Sequence, residues 1–191
     1  MKTIMETPVF VGHKAIEEDL IDLFINRGKQ LIIQEAGIQD KNSKEEKLAH
    51  DYSYRQTEVG FFPRGDVVET IVRAMVLNVN DNSYKCHLTD AENVQFGIYK
   101  EGHFYKAHRD YDPSCKKIRK LSVTVQLSDS HHYEGGDFKL WDFFGNEITK
   151  PEWRDKGTVL VFPSCLKHEV TPVTKGTRMS LVQWYIGPDW R

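Results

Sequence analysis

A mainly β fold with flanking helices, of the α+β class, is predicted by three observations. Helical periodicity is confined to the first half of the chain, short strand-like runs crowd the second half, and Gly, Pro, Asn and Asp separate those runs. Helices first and many short strands later suit a β-sandwich or open barrel buttressed by helices, and argue against an alternating parallel α/β fold.

The first helix is expected over Ala15 to Arg27, which places Ile16, Leu20, Leu23 and Phe24 on one face. The second is expected over Asp66 to Asn78, with Val67, Ile71, Ala74 and Met75 as its apolar positions. After Asn93 the runs VQFGIY, LSVTVQL, DFKLW, TVLVF and MSLVQWYI are rich in β-branched and aromatic residues and read as strands. In Leu121 to Leu127 the apolar Leu121, Val123, Val125 and Leu127 face one way and Ser122, Thr124 and Gln126 the other. Two readings stand: a strand with one face in water, or a barrel wall whose inner face lines a polar pocket.

With 39% hydrophobic residues in 191, the chain can bury one sizeable core but not two, so residues 1–191 are read as a single domain. A formal net charge of -2 gives no global field toward nucleic acid or anionic lipid, and neither partner is expected. The stretch KNSKEEK at 41–47 reads as a solvated loop or frayed end. Cys86, Cys115 and Cys165 are sparse, odd in number and without CxxC spacing, so reduced thiols are expected instead of a disulfide framework or a thiolate zinc site. The opening residues show no apolar run with a small-residue cleavage site, and no stretch approaches membrane-spanning length, which predicts a soluble, cytoplasmic protein.

The segment YKEGHFYKAHRD contains His108-x-Asp110. Positions i and i+2 of an extended segment project to one side, so an imidazole and a carboxylate there can share one ion. Alone the pair is weak, because 8 His and 28 acidic residues yield about one such pair by chance, and His132-Tyr133-Glu134 is a second. His168, which follows the apolar run GTVLVFPS, supplies a third donor. Two His and one carboxylate leave coordination positions open, the facial arrangement of Fe(II) oxygenases.

If Thr174, Lys175 and Gly176 form a three-residue hairpin loop, Val173 pairs with Thr177 and His168 with Val182. Arg178 then shares the His168 face, about 13 Å along the strand. That gap suits a five-carbon dicarboxylic acid held by iron at one end and by a guanidinium fork at the other. Ser180, on the same face, can add a hydrogen bond to that carboxylate. A two-residue loop inverts Arg178 to the opposite face.

Four ordered motifs carry a resemblance. They are Tyr99-x-x-Gly102-x-x-Tyr105-x-x-His108-x-Asp110, then Tyr133-Glu134-Gly135-Gly136-Asp137-Phe138, then Phe162-Pro163-Ser164-x-x-x-His168-x-Val170-x-Pro172-Val173, and last Gly176-x-Arg178-x-Ser180 with Trp184. From about Asn93 to Pro188 the chain resembles the catalytic core of prolyl 4-hydroxylase-type 2-oxoglutarate and Fe(II)-dependent dioxygenases, viral and bacterial members included. The resemblance implies a double-stranded β-helix, a cupin-like jelly-roll core, over residues 93–188, with 1–92 as helical support and substrate-groove strands. It implies Fe(II) on His108, Asp110 and His168, with 2-oxoglutarate and O2 as cosubstrates and ascorbate as reductant. The tail carboxylate of 2-oxoglutarate falls to Arg178, with Tyr99, Ser180, Gln126 and Trp184 as further cosubstrate candidates, and no catalytic side chain is implied beyond the metal site.

Arg55 and Thr57 match the family's Arg-x-Ser/Thr stretch before the core and are assigned to the substrate groove. The implied reaction is hydroxylation of an unactivated carbon, first a prolyl residue in a peptide or protein, then another peptide side chain, a free amino acid or a small molecule. Collagen-type members carry Lys where this chain has Arg178, and nucleic-acid demethylases of the wider group carry a second Arg where it has Trp184, which ranks nucleobase repair low. A cluster of Lys116, Lys117, Arg119 and Lys120 is either a solvated face or a lure for an acidic substrate. A reading of another class is a cupin-like module that binds a metal or small acid without turnover.

Overall fold

The computed structural model describes residues 8–39, 48–49, 51–112 and 118–188. The charged stretch at 41–47 and the residues Cys115, Lys116 and Lys117 lie outside these.

The first helix, α1 (Glu18–Gly28), starts three residues later than its periodicity suggests. The backbone N–H of Ile16 is held by the carbonyl of Gly157, 3.3 Å away, so the preceding turn belongs to the sheet connection. The second helix, α2 (Val67–Val79), begins where Asp66 caps it, its carboxylate accepting from the Val68 N–H at 2.8 Å. The same carboxylate pairs with Arg27 of α1, which ties the two helices together.

Burial pushes the Asp66 pKa up, but the Arg27 guanidinium and the Val68 N–H outweigh it and hold the carboxyl below its usual range. A depressed folded pKa gives stability that is present above the unfolded value, near 4, and is lost as pH falls through the folded one. Asp66→Ala is therefore expected to cost about 1 kcal/mol at pH 7. The deficit should shrink in acid, and urea unfolding at pH 7 and pH 3 measures both; equal deficits would contradict it.

The strand runs build two main antiparallel sheets, beside the two-stranded pairs Tyr133–Gly135 with Val173–Gly176 and Ile38–Gln39 with Leu48–Ala49. The larger is eight-stranded, in the order Phe10–Gly12, Val159–Pro163, Ile118–Gln126, Arg178–Gly187, Gln95–Tyr99, Glu58–Phe61, Gln34–Glu35, with Asp90–Ala91 also pairing on Arg178–Gly187. One face packs on the helices: Leu121, Val123, Val125, Leu181 and Tyr185 join Phe24, Val68, Val72 and Val76 in one buried cluster. The other face carries Ser122, Thr124, Gln126 and Ser180, all buried. Those side chains do not meet water, which decides for the inner-wall reading of the Leu121 strand.

What covers them is a four-stranded sheet in the order Phe138–Leu140, His168–Val170, Phe104–His108, Arg55–Gln56. Apolar contacts cross between the sheets: Tyr99 packs with Val170 and Val173, and Phe162 with Leu140 and Leu166. The result is the double-stranded β-helix, a jelly roll whose two walls enclose a polar gap. Among the described residues no helix is long and apolar enough to cross a membrane.

The expected hairpin after His168 does not form. Val173–Gly176 pairs with Tyr133–Gly135, and the strand from Arg178 pairs with Gln95–Tyr99 and Ile118–Gln126, so neither Val173 with Thr177 nor His168 with Val182 are partners. Gly176, at φ +76°, turns the chain from one wall toward the other, and a Cβ there would stand 2.3 Å from the His132 carbonyl oxygen. His168 and Arg178 therefore belong to opposite walls, where the hairpin had placed them along one sheet.

Candidate metal centre

His108 ends the Phe104–His108 strand and stands directly opposite His168 in the neighbouring strand. Asp110 follows two residues later, where its N–H and that of Tyr111 both donate to the Ser164 carbonyl at 3.0 Å. The three side chains converge: Asp110 Oδ1 is 3.8 Å from His108 Nε2, and Asp110 Oδ2 is 3.4 Å from His168 Nε2. Their ligating atoms all lie within 4.8 Å of one another, and among the described residues this is the group of such side chains able to hold an ion.

Both imidazoles are oriented from behind. The Nδ1 of His108 lies 2.8 Å from the Lys106 carbonyl and that of His168 lies 3.0 Å from the Leu166 carbonyl. A carbonyl only accepts, so each Nδ1 carries the proton and each Nε2 lone pair faces the gap. Ser122 Oγ donates to Asp110 Oδ2 at 2.7 Å and lies 2.9 Å from Ser164 Oγ. Burial, with His168 beside it, lowers the His108 pKa to about 3, so the ring is neutral near neutral pH and ready to donate its lone pair. For Asp110 burial acts upward, but His168, His108, Arg119 and the Ser122 hydroxyl outweigh it and keep the carboxyl ionised. Two imidazoles with inward-facing Nε2 atoms and one carboxylate, facing one side, fit Fe(II) with positions left open.

Aromatic rings seal the centre. Tyr105 stacks on His108 at 3.6 Å between centroids, while Phe162 and Phe138 lie 5.1 and 5.7 Å from His168. Arg55 sits over the far side of Tyr105, 4.5 Å from its centroid. Thr57 is buried, its hydroxyl donating to the Gln56 carbonyl, and shares with Arg55 the wall of a small depression of about 30 Å³.

On the opposite wall Arg178 is only 2% exposed and has no carboxylate partner among the described residues. Its Nη1 donates to Ser180 Oγ at 3.2 Å, and its Cζ lies 5.3 Å from the Tyr99 ring centroid. It opens on a cavity of about 310 Å³, as does Gln126, whose Nε2 donates to the Tyr133 hydroxyl at 2.9 Å. Arg178, Ser180, Tyr99 and Gln126 are thus brought together.

Trp184 is not one of that cavity's lining residues. It pairs with Ser122 at the Asp110 end of the sheet, where the Arg119 guanidinium stacks over it at 4.0 Å and is held by Glu92 through two bonds of 2.7 Å. Arg119 is therefore drawn into the fold and Lys120 is buried, so neither belongs to a solvated basic face.

Ser122, Ser164, Arg119, Tyr133 and Arg154 were not among the expected site residues. The inward alternation of the Leu121 strand marks Ser122, and Tyr133 and Ser164 stand inside quoted motifs; Arg154, in a 3₁₀ turn over Pro151–Arg154, leaves no periodic trace. His132, of the second His-x-acid pair, is exposed and takes no part, and Cys165 is not among the converging donors.

Residues 94–186 match the 2OG-Fe(II) oxygenase superfamily, and both histidines, Asp110 and Arg178 fall inside that span. This segment, just under half of the chain, is similar to 2OG-Fe(II) oxygenase domains. A PKHD-type hydroxylase of Idiomarina loihiensis is 35% identical to the chain over 93 residues, which are 48% of this chain and 40% of that protein. The chain thus spans less than half the length of the curated relatives it matches. Among solved structures the oxygenase fold is shared with a Pseudomonas putida prolyl-4-hydroxylase, at TM-score 0.72 and 20% identity, covering 96% of this chain and 95% of that one. A Trichoplax adhaerens prolyl hydroxylase, in complex with a hypoxia inducible factor oxygen degradation domain peptide fragment, is similar at TM-score 0.68 and 15% identity, covering 95% and 84%.

Proposed function

We propose that the protein is an Fe(II)- and 2-oxoglutarate-dependent dioxygenase that hydroxylates an unactivated carbon, with a prolyl residue of a peptide or protein as its substrate. The observation that carries this is a buried guanidinium, without a carboxylate partner among the described residues, on the wall opposite an inward-facing His-Asp-His set. Bound Fe(II) supplies O2 activation coupled to oxidative decarboxylation of 2-oxoglutarate, giving succinate, CO2 and one oxygen atom inserted into a substrate C–H bond.

This chain's residues do the holding. His108 and His168 offer Nε2 and Asp110 a carboxylate, while the Lys106 and Leu166 carbonyls and Ser122 fix their directions. Arg178, steadied by Ser180 and approached by Tyr133, receives the distal carboxylate of 2-oxoglutarate, a charge-assisted contact in a site shielded from water. Phe138, Phe162 and Tyr105 keep water from the metal's surroundings. No side chain here needs to serve as general acid or base. Arg55 and Tyr105 form the flank of the centre where a peptide would lie, and the prolyl substrate is favoured because the solved proteins with this fold include prolyl hydroxylases.

The test is succinate formation by the purified protein with Fe(II), 2-oxoglutarate and ascorbate, with and without proline-containing peptides. Succinate that rises with a peptide gaining one oxygen atom is the expected result. Succinate without peptide stimulation would remove the prolyl substrate and leave the oxygenase; no succinate from iron-loaded protein would favour a binding module without turnover.

A further inference from the structure

The cavity at Arg178 extends well beyond the guanidinium. Its floor is Arg178, Gln126 and Tyr133, all buried, and its mouth is formed by Lys139 and the exposed Glu147 and Lys150. Four cations and two carboxylates line it: Lys139, Lys150, Arg154 and Arg178 against Asp137 and Glu147. Each carboxylate is already matched, Asp137 by Arg154 and Glu147 by Lys139 at 3.5 Å. The two cations left without an acidic partner among the described residues are Lys150 at the mouth and Arg178 at the floor. Trp153, whose indole N–H is buried and without a hydrogen-bond partner, also lines the cavity. A passage with an unpaired positive charge at each end suits a small dianion moving inward.

The position of this passage relative to the metal is set by the four-stranded sheet. Phe138–Leu140, which contributes Phe138 and Lys139 to the cavity, is one edge; Arg55–Gln56 is the other; the strands of His168 and His108 lie between. At the ordinary strand spacing the two edges are about 14 Å apart. The Arg55 flank and the Arg178 cavity therefore approach the metal centre from opposite sides.

We infer that 2-oxoglutarate reaches Arg178 through this cavity, drawn in by Lys150, while the peptide occupies the Arg55 flank, so that the two substrates use separate entrances. This rests on the reading of Arg178 as the carboxylate anchor.

The measurement is stopped-flow intrinsic tryptophan fluorescence of the Fe(II)-loaded protein mixed anaerobically with 2-oxoglutarate. Lys150→Glu, an exposed substitution, is expected to lower the association rate about fivefold at low ionic strength, the gap closing as salt is raised. Gln56→Glu, an exposed substitution that adds negative charge at the opposite edge, is expected to leave that rate unchanged. A wild-type rate in Lys150→Glu, or an equally reduced rate in Gln56→Glu, would overturn the separate entrance. Equilibrium binding of 2-oxoglutarate to Arg178→Ala separates the two readings: binding that survives it removes the anchor, whereas binding lost there beside an unaffected Lys150→Glu removes the entrance alone.

Discussion

Asp110→Asn is expected to lower Fe(II) affinity by more than about 100-fold, beyond the 10- to 100-fold typical of losing an outer partner of a metal ligand, and to abolish succinate formation. The substitution keeps the side chain's size and leaves an oxygen to accept from Ser122, so the fold should persist while the anionic donor is lost. Of the three donors Asp110 is the anionic one, and it is held ionised by the groups around it. Without it only imidazole donors face a dication in a centre flanked by the Tyr105, Phe138 and Phe162 rings. Calorimetric titration of Fe(II) under nitrogen reads the affinity, and circular dichroism checks the fold. Wild-type affinity in a folded variant would show that the ion is held elsewhere. Ser122→Ala, which removes only the hydroxyl that orients the carboxylate, should fall between the two.

Much of this centre is legible in the chain because its parts are local. His108 and Asp110 are two residues apart, and the apolar run before His168 marks a strand that must end at the gap. The alternation of Ser122, Thr124 and Gln126 correctly signals a polar wall, but whether that wall faces water or a second sheet depends on contacts far away in sequence. The misplaced hairpin has the same origin. A turn with Gly at its left-handed position looks alike whether the flanking strands pair with each other or pass to opposite sheets, since both outcomes bury the same apolar residues. Here Val173 and Arg178 found partners at Gly135 and Tyr99, 38 and 79 residues upstream. Trp184 shares a face with Arg178, yet six residues of strand, about 20 Å, carry it to the metal's end of the wall. Arg119 looked like part of a basic run because its partners, Glu92 and Trp184, are distant in the chain.

Arg178→Met should move cosubstrate binding and stability in different directions. The guanidinium is 2% exposed, contacts Ser180 and the Tyr133 hydroxyl, and has no carboxylate beside it among the described residues. Losing one partner of a buried charge pair costs about 2–5 kcal/mol, so the KM for 2-oxoglutarate is expected to rise between about 30-fold and several thousandfold. In the ligand-free protein the charge has no such partner, and exchanging it for an apolar side chain of similar length removes a desolvation cost. The Tm without ligand is therefore expected to hold or rise, while the stabilisation that 2-oxoglutarate gives the wild type disappears. A Lys in its place keeps the charge but not the planar fork, and should retain part of the affinity. Thermal scans of both variants, with and without 2-oxoglutarate, decide the matter. A Tm that drops in ligand-free Arg178→Met would mean that the guanidinium is a structural prop, and a full ligand-induced shift in that variant would mean that the carboxylate docks somewhere else.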